Sequence, residues 1–108
     1  MDKIYELQAD ICKTFSNAKR MEIINGLKGR EMSASDLVEA IGLSKANLSQ
    51  HMAVLRSKGV VLARREGLNI FYRISNPKII QACDLMREVL LDQLREKGKM
   101  VSSFRHAK

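Results

Sequence analysis

The stretch that decides the fold is MSASDLVEAIGLSKANLSQHMAVLRSKG, Met32 to Gly59. It contains two short helix signatures with almost nothing between them. Ser33-Ala34-Ser35-Asp36 has the S-x-x-D form of a capping box, so a helix is expected to open into Leu37-Val38-Glu39-Ala40-Ile41. Gly42 can adopt the left-handed conformation that stops it. Ser44 then caps a second helix at once, running to about Lys58. Two helices joined by so tight a turn make a helix-turn-helix.

The second helix of the pair has an informative surface. At 100° per residue, Leu48, Met52 and Leu55 fall within roughly 60° of one another and are expected to face a core. Ala46, Gln50, Ala53 and Ser57 lie opposite, with Lys45, Ser49 and Arg56 on one flank and Asn47 and Val54 on the other. No acid occurs between Glu39 and Glu66. Such a face is small, hydrogen-bonding and edged with cations, which suits a helix lying in the major groove. Small side chains let the backbone approach, and Gln and Asn can pair with base edges. The residues expected at or near bases are Lys45, Ala46, Asn47, Ser49 and Gln50, with Ser44 also expected to touch DNA. Arg56 and Lys58 are expected on phosphates, where they add affinity without sequence information.

Working outward, the period changes after Gly59. Residues 60–65 and 70–74 are β-rich runs separated by Glu66-Gly67-Leu68-Asn69, which reads as a hairpin. Arg64 and Arg65 lead into its turn and Asn69 is placed at its tip, so all three are candidates for DNA backbone contacts. Alternating residues point to opposite faces, however, so both arginines cannot face the DNA directly. Asn76-Pro77 supplies a cap and a first-turn proline for a last helix ending near Lys97. Upstream, Ile4, Leu7, Ile11 and Phe15 mark a helix over 3–15. Asn17 caps another over 18–28, with Met21, Ile24 and Leu27 inward. The order α-α-α-α-β-β-α describes a mainly helical fold with a β-hairpin wing. Residues 1–97 are read as one DNA-binding and dimerisation domain, and 98–108 as a basic, disordered tail.

Charge agrees with this reading. Of a formal net +7 at neutral pH, the segment from Ser44 to Ser75 holds six basic residues against one acid. A basic block on otherwise balanced helices fits a polyanion partner. No apolar run approaches the roughly 20 residues of a membrane span. The acid-bearing N-terminus lacks a secretory segment, so a cytoplasmic protein is expected. No P-loop, glycine-rich cofactor loop or Ser/His/Asp arrangement points to an enzyme, and no cofactor is expected. The competing reading is a winged-helix protein-interaction module without DNA binding. That module would present an apolar or acidic outer helix face, and the sequence shows neither.

Several of these runs together resemble a known family. Met32 to Leu37, Leu43 to Arg56, Gly59-Val60-Val61, and Arg65-Glu66-Gly67 through Phe71-Tyr72-Arg73-Ile74 resemble the ArsR/SmtB winged helix-turn-helix repressors. Phe15 to Arg20 is similar to the family's start of its second helix, with Ala18 where the family usually has proline. The resemblance spans roughly residues 5 to 95 and implies an operator-binding repressor. It also implies a homodimer paired through the first and last helices. Independently, Ile79, Ile80, Cys83, Met86, Val89, Leu90, Leu91 and Leu94 form an arc wider than one core contact requires.

Family members often release DNA when a metal or a thiol modification alters the dimer. The family's cysteine-containing metal motif is replaced here by Ser33 and Ser35, which bind soft metals poorly. The last helix has no histidine, and Asp84, Glu88 and Asp92 alone read as a solvated face, so no metal site is expected. Cys12 and Cys83 each lie on one of the two helices expected to pair. They are read either as small hydrophobes packed in the interior, as a redox or sulfide-responsive pair, or as part of a soft-metal or metalloid site.

Overall fold

A computed structural model describes residues 2–98. Eight elements follow in order: α1 (Asp2–Thr14), α2 (Ala18–Gly26), β1 (Met32–Ser33), α3 (Ala34–Ile41), α4 (Lys45–Ser57), β2 (Val61–Glu66), β3 (Asn69–Ile74) and α5 (Pro77–Glu96). The expectation for the tail falls outside the described residues except at Gly98.

Side-chain caps set the helix starts. Asn17 Oδ1 accepts from the Arg20 amide at 3.0 Å, Ser33 Oγ from Asp36 at 3.1 Å, Ser44 Oγ from Asn47 at 3.1 Å, and Asn76 Oδ1 from Lys78 at 2.9 Å. Each satisfies an amide that the first helical turn leaves without a partner. Gly42 stops α3 in the left-handed region, at φ 76° and ψ 39°. A side chain there would strain the turn that sets α3 against α4.

The two-residue strand β1 is not legible as a period in the sequence. It forms because Met32 and Ser33 run antiparallel to Tyr72 and Phe71, giving a three-stranded sheet of order β1-β3-β2. The wing is a hairpin in which Glu66 pairs with Asn69, so its turn is only Gly67 and Leu68, with Gly67 at φ 63°. Asn69 is therefore the first residue of β3, and the tip belongs to Leu68.

The core is one cluster. Ile23, Ile24 and Leu27 of the α2 region, Leu37 of α3, and Leu48, Met52 and Leu55 of α4 meet Val60 just before β2, Val61 and Tyr72 of the sheet and Ile80 of α5. Burying one such aliphatic chain contributes about 1.5–3 kcal/mol before ordering costs. Met21, expected inward, is instead 42 % exposed. The arc centred on Ile23, Ile24 and Leu27 lies about 115° away from it around the helix. Helix α2 also ends at Gly26 rather than residue 28, because Leu27 closes it with a tighter turn.

Two helices touch this core only in part. Thr14 is the only buried residue of α1, and Ile80 the only one of α5. Ile4, Tyr5, Leu7 and Ile11 on α1, and Leu85, Met86, Val89 and Leu90 on α5, are between 41 and 65 % exposed. Helix α1 is held at its end by Phe15, which packs against the core, and by Arg20 Nε donating to the Thr14 carbonyl at 2.7 Å. Among the described residues, no helix is long and apolar enough to cross a membrane.

Candidate nucleic-acid interface

Helix α4 is fixed from beneath. Leu48, Met52 and Leu55 are 2 % exposed or less, so the helix cannot rotate without emptying the core. Its opposite side carries Lys45, Ala46, Asn47, Ser49, Gln50, Ala53 and Ser57, all exposed. Ser44, exposed as well, spends its hydroxyl oxygen on the Asn47 amide, so its accepting role is structural. His51 is half-buried beside this face. Burial, then the positive charge of Arg20, pushes its pKa below the ordinary histidine value. Both effects favour the neutral imidazole over the cation.

The wing flanks the start of α4. Ile70 and Tyr72 of β3 share a shallow cleft with Lys45 and Ser49 of α4, closed at the tip end by Leu68 and Asn69. Arg65 stands opposite Ile70 in the ladder, and cross-strand partners share a face of the sheet. It therefore belongs to the face of the wing that looks toward α4. Arg64 stands opposite Phe71, on the other face.

The expected cations differ in how they are engaged. Lys45, Arg56 and Arg65 are exposed. Lys58 Nζ lies 2.6 Å from Asp10 Oδ2, tying the end of α4 to α1. That pair is largely exposed, and such a pair is weak enough for a phosphate to replace the carboxylate. Arg64 is held on three sides. Its Nε and Nη2 donate to the two carboxylate oxygens of Glu31 at 2.9 and 2.7 Å, and its Nη1 donates to Glu66 at 2.8 Å. Its guanidinium carbon also lies 4.5 Å from the centre of the Phe71 ring. The hydrogen bond from Arg64 holds the Glu31 carboxyl below its usual range, and the same bonds raise the arginine's own pKa.

Asp10 and Glu31 were not among the residues singled out from the sequence. They carry no motif, and each lies far along the chain from the cation it meets. Leu68, 97 % exposed at the wing tip, likewise carries no signal in the sequence that sets it apart.

The two thiols are placed differently. Cys12 is exposed on α1, whereas Cys83 is half-buried on α5 against the core. Burial pushes the Cys83 thiol up, which makes its reactive thiolate scarcer. Of the carboxylates considered for metal, Asp84 accepts from Lys28 at 2.7 Å and Arg87 at 2.9 Å, and Asp92 from Arg95 at 2.9 Å. Ser33, in place of a family cysteine, is occupied in capping α3.

Known proteins match this arrangement. Residues 17–62 match the family described as bacterial regulatory protein, arsR family. The HTH-type transcriptional regulator Rv0081 of Mycobacterium tuberculosis is 34 % identical over 96 % of this chain and 92 % of its own length. Its crystal structure superposes with a TM-score of 0.80, covering 89 % of this chain and 97 % of that one at 36 % identity. HlyU of Vibrio cholerae gives a TM-score of 0.75 at 30 % identity, over 82 % of this chain and 97 % of its own. Mb0332 of Mycobacterium bovis, described as a homodimeric winged helix-turn-helix DNA-binding domain, gives 0.79 at 26 % identity over 88 % of each chain. With sequence likeness along nearly its whole length and the same helix-turn-helix and wing, this chain belongs to the ArsR family of winged helix-turn-helix transcriptional regulators.

Proposed function

We propose that the chain is a cytoplasmic repressor that acts as a homodimer by occupying a palindromic operator, without chemistry of its own. The observation that carries this reading is the outer face of α4. It is exposed, free of acids, and built of small and amide side chains around Gln50, while three apolar residues beneath hold it still. Lys45, Ala46, Asn47, Ser49 and Gln50, with Ser44 at the cap, would lie at or near base edges. Arg56, Lys58, Arg65 and Asn69 would follow the sugar-phosphate backbone. Arg64, on the other wing face, is outside this set.

Dimerisation is assigned to α1 and α5, where eight large apolar residues are left 41–65 % exposed among the described residues. A two-fold axis between them would present two copies of α4 to successive turns of DNA. The name of Mb0332, a homodimeric DNA-binding domain, supports the same assembly.

Selection of bound duplexes from a random pool, followed by titration of the winning duplex and a scrambled one, tests the reading. A palindromic winner bound at least a hundredfold more tightly supports it. Equal binding of both duplexes overturns specific readout. Polysulfide treatment of the wild type beside Cys12→Ser and Cys83→Ser tests thiol control. Release in the wild type alone supports such control, and unchanged affinity in all three excludes it.

A further inference from the structure

Alternation puts the two wing arginines on opposite faces, and the register of the sheet sets which face each takes. Ser33, Phe71 and Arg64 stand in one row across β1, β3 and β2. Glu31 precedes Ser33 by two residues and so extends the same face of β1. Adjacent strands are about 4.8 Å apart, so the outer two are separated by about 10 Å. The Arg64 side chain crosses that distance over the Phe71 ring and ends on both carboxylate oxygens of Glu31. Its remaining terminal nitrogen is taken by Glu66. Nε, Nη1 and Nη2 all have carboxylate partners.

We propose that Arg64 is a positioning residue, which locks the wing to the start of the helix-turn-helix and leaves Arg65 as the wing's arginine for DNA. This rests on the DNA-binding reading above. Two arguments support it. Arg64 is neutralised by Glu31 and Glu66, and even with Arg73, which shares this face and acts on Glu31, the cluster carries no net positive charge, so an approaching phosphate meets no net attraction and would have to displace a bidentate partner. Secondly, Glu31 leads directly into Met32-Ser33, and Ser33 caps α3. A bond from β2 to Glu31 therefore ties the free edge of the wing to the first helix of the motif, whereas the β1–β3 ladder holds only the other strand. With the wing set in this way, Arg65 is on the face that shares a cleft with Lys45 and Ser49 of α4.

The experiment compares Arg64→Lys, Glu31→Gln, the double variant and Arg65→Lys and Arg65→Gln on the duplex selected by the wild-type protein, across a salt series. Lysine keeps the charge but cannot reproduce a bidentate fork stacked on a ring. Arg64→Lys and Glu31→Gln are each expected to weaken binding by about three- to fivefold, with the wild-type salt slope. The double variant should be no weaker than either single one, since both remove the same link. Arg65→Lys should bind nearly as the wild type does. Arg65→Gln should weaken binding to every duplex and lower the salt slope by about 0.9, as loss of one phosphate contact does. The proposal is overturned if Arg64→Lys binds like the wild type, or if Glu31→Gln leaves affinity unchanged or raises it. Either result would return Arg64 to the phosphate-binding set without touching the DNA-binding reading, which fails only if no duplex is selected.

Discussion

Replacing Leu90 with glutamate tests the dimer face most directly. In the single chain Leu90 is 47 % exposed. Ile80 is the one α5 residue buried in the chain's own core, so the core does not depend on Leu90. Complete burial of a leucine is worth about 1.5–3 kcal/mol, so covering its exposed half contributes about 1 kcal/mol per protomer. A two-fold interface counts that loss twice. Two carboxylates must also be desolvated there without partners, at a further cost of at least about 1 kcal/mol each. A total of about 4 kcal/mol or more corresponds to at least about a thousandfold rise in the dimer dissociation constant. Sedimentation velocity over a hundredfold concentration range would read the shift from dimer to monomer. Leu68→Glu is the control, because Leu68 is even more exposed but lies at the wing tip. If Leu90→Glu sediments as the wild type does at every concentration, or if Leu68→Glu dissociates equally, α5 is not the interface.

Gln50→Ala should leave the melting temperature unchanged while lowering discrimination at one base pair by about 1–3 kcal/mol, measured by competition with singly substituted duplexes. Ser44→Ala removes the oxygen that accepts from the Asn47 amide. It should cost about 1 kcal/mol and lower the melting temperature by about 4–8 °C in calorimetry. Lys28 beside Asp84 holds its carboxyl below the ordinary 3.8. That contribution is complete above the ordinary value and is lost as pH falls through it toward the lowered folded value. Chemical unfolding at a series of acid pH values should show this loss in the wild type, and Asp84→Asn should lack it.

Local chemistry was the most legible part of the sequence. The caps at Asn17, Ser33, Ser44 and Asn76, and the left-handed Gly42, act within four residues of themselves. The core stripe of α4 follows from helical period alone. Strand β1 was hidden because two residues cannot show an alternation, and their pairing with Phe71 and Tyr72 is non-local. Met21 misled because a nine-residue helix offers too few turns to fix the centre of its buried arc. The two arginines of the wing could be sorted onto opposite faces by alternation. Which face looked toward α4 depended on the register Arg65 opposite Ile70. The partners of Arg64 and Lys58 depended on packing between segments remote in sequence.

A count of positive charges thus overstates what the surface offers to a phosphate. Of the basic residues between Ser44 and Ser75, Arg64 is committed to two carboxylates and Lys58 to one. The two commitments differ in kind. Arg64 is held by a forked contact to Glu31 and by a second carboxylate, Glu66. Lys58 is held by Asp10, which belongs to a helix with almost no hold on the core of its own chain. A partner subunit that covered Ile4, Leu7 and Ile11 would fix where α1 lies, and with it the carboxylate that competes for Lys58. Under the proposed reading, the end of α4 would be the point at which assembly of the dimer and neutralisation of a phosphate draw on the same cation, and the two equilibria would be linked through one exposed ion pair.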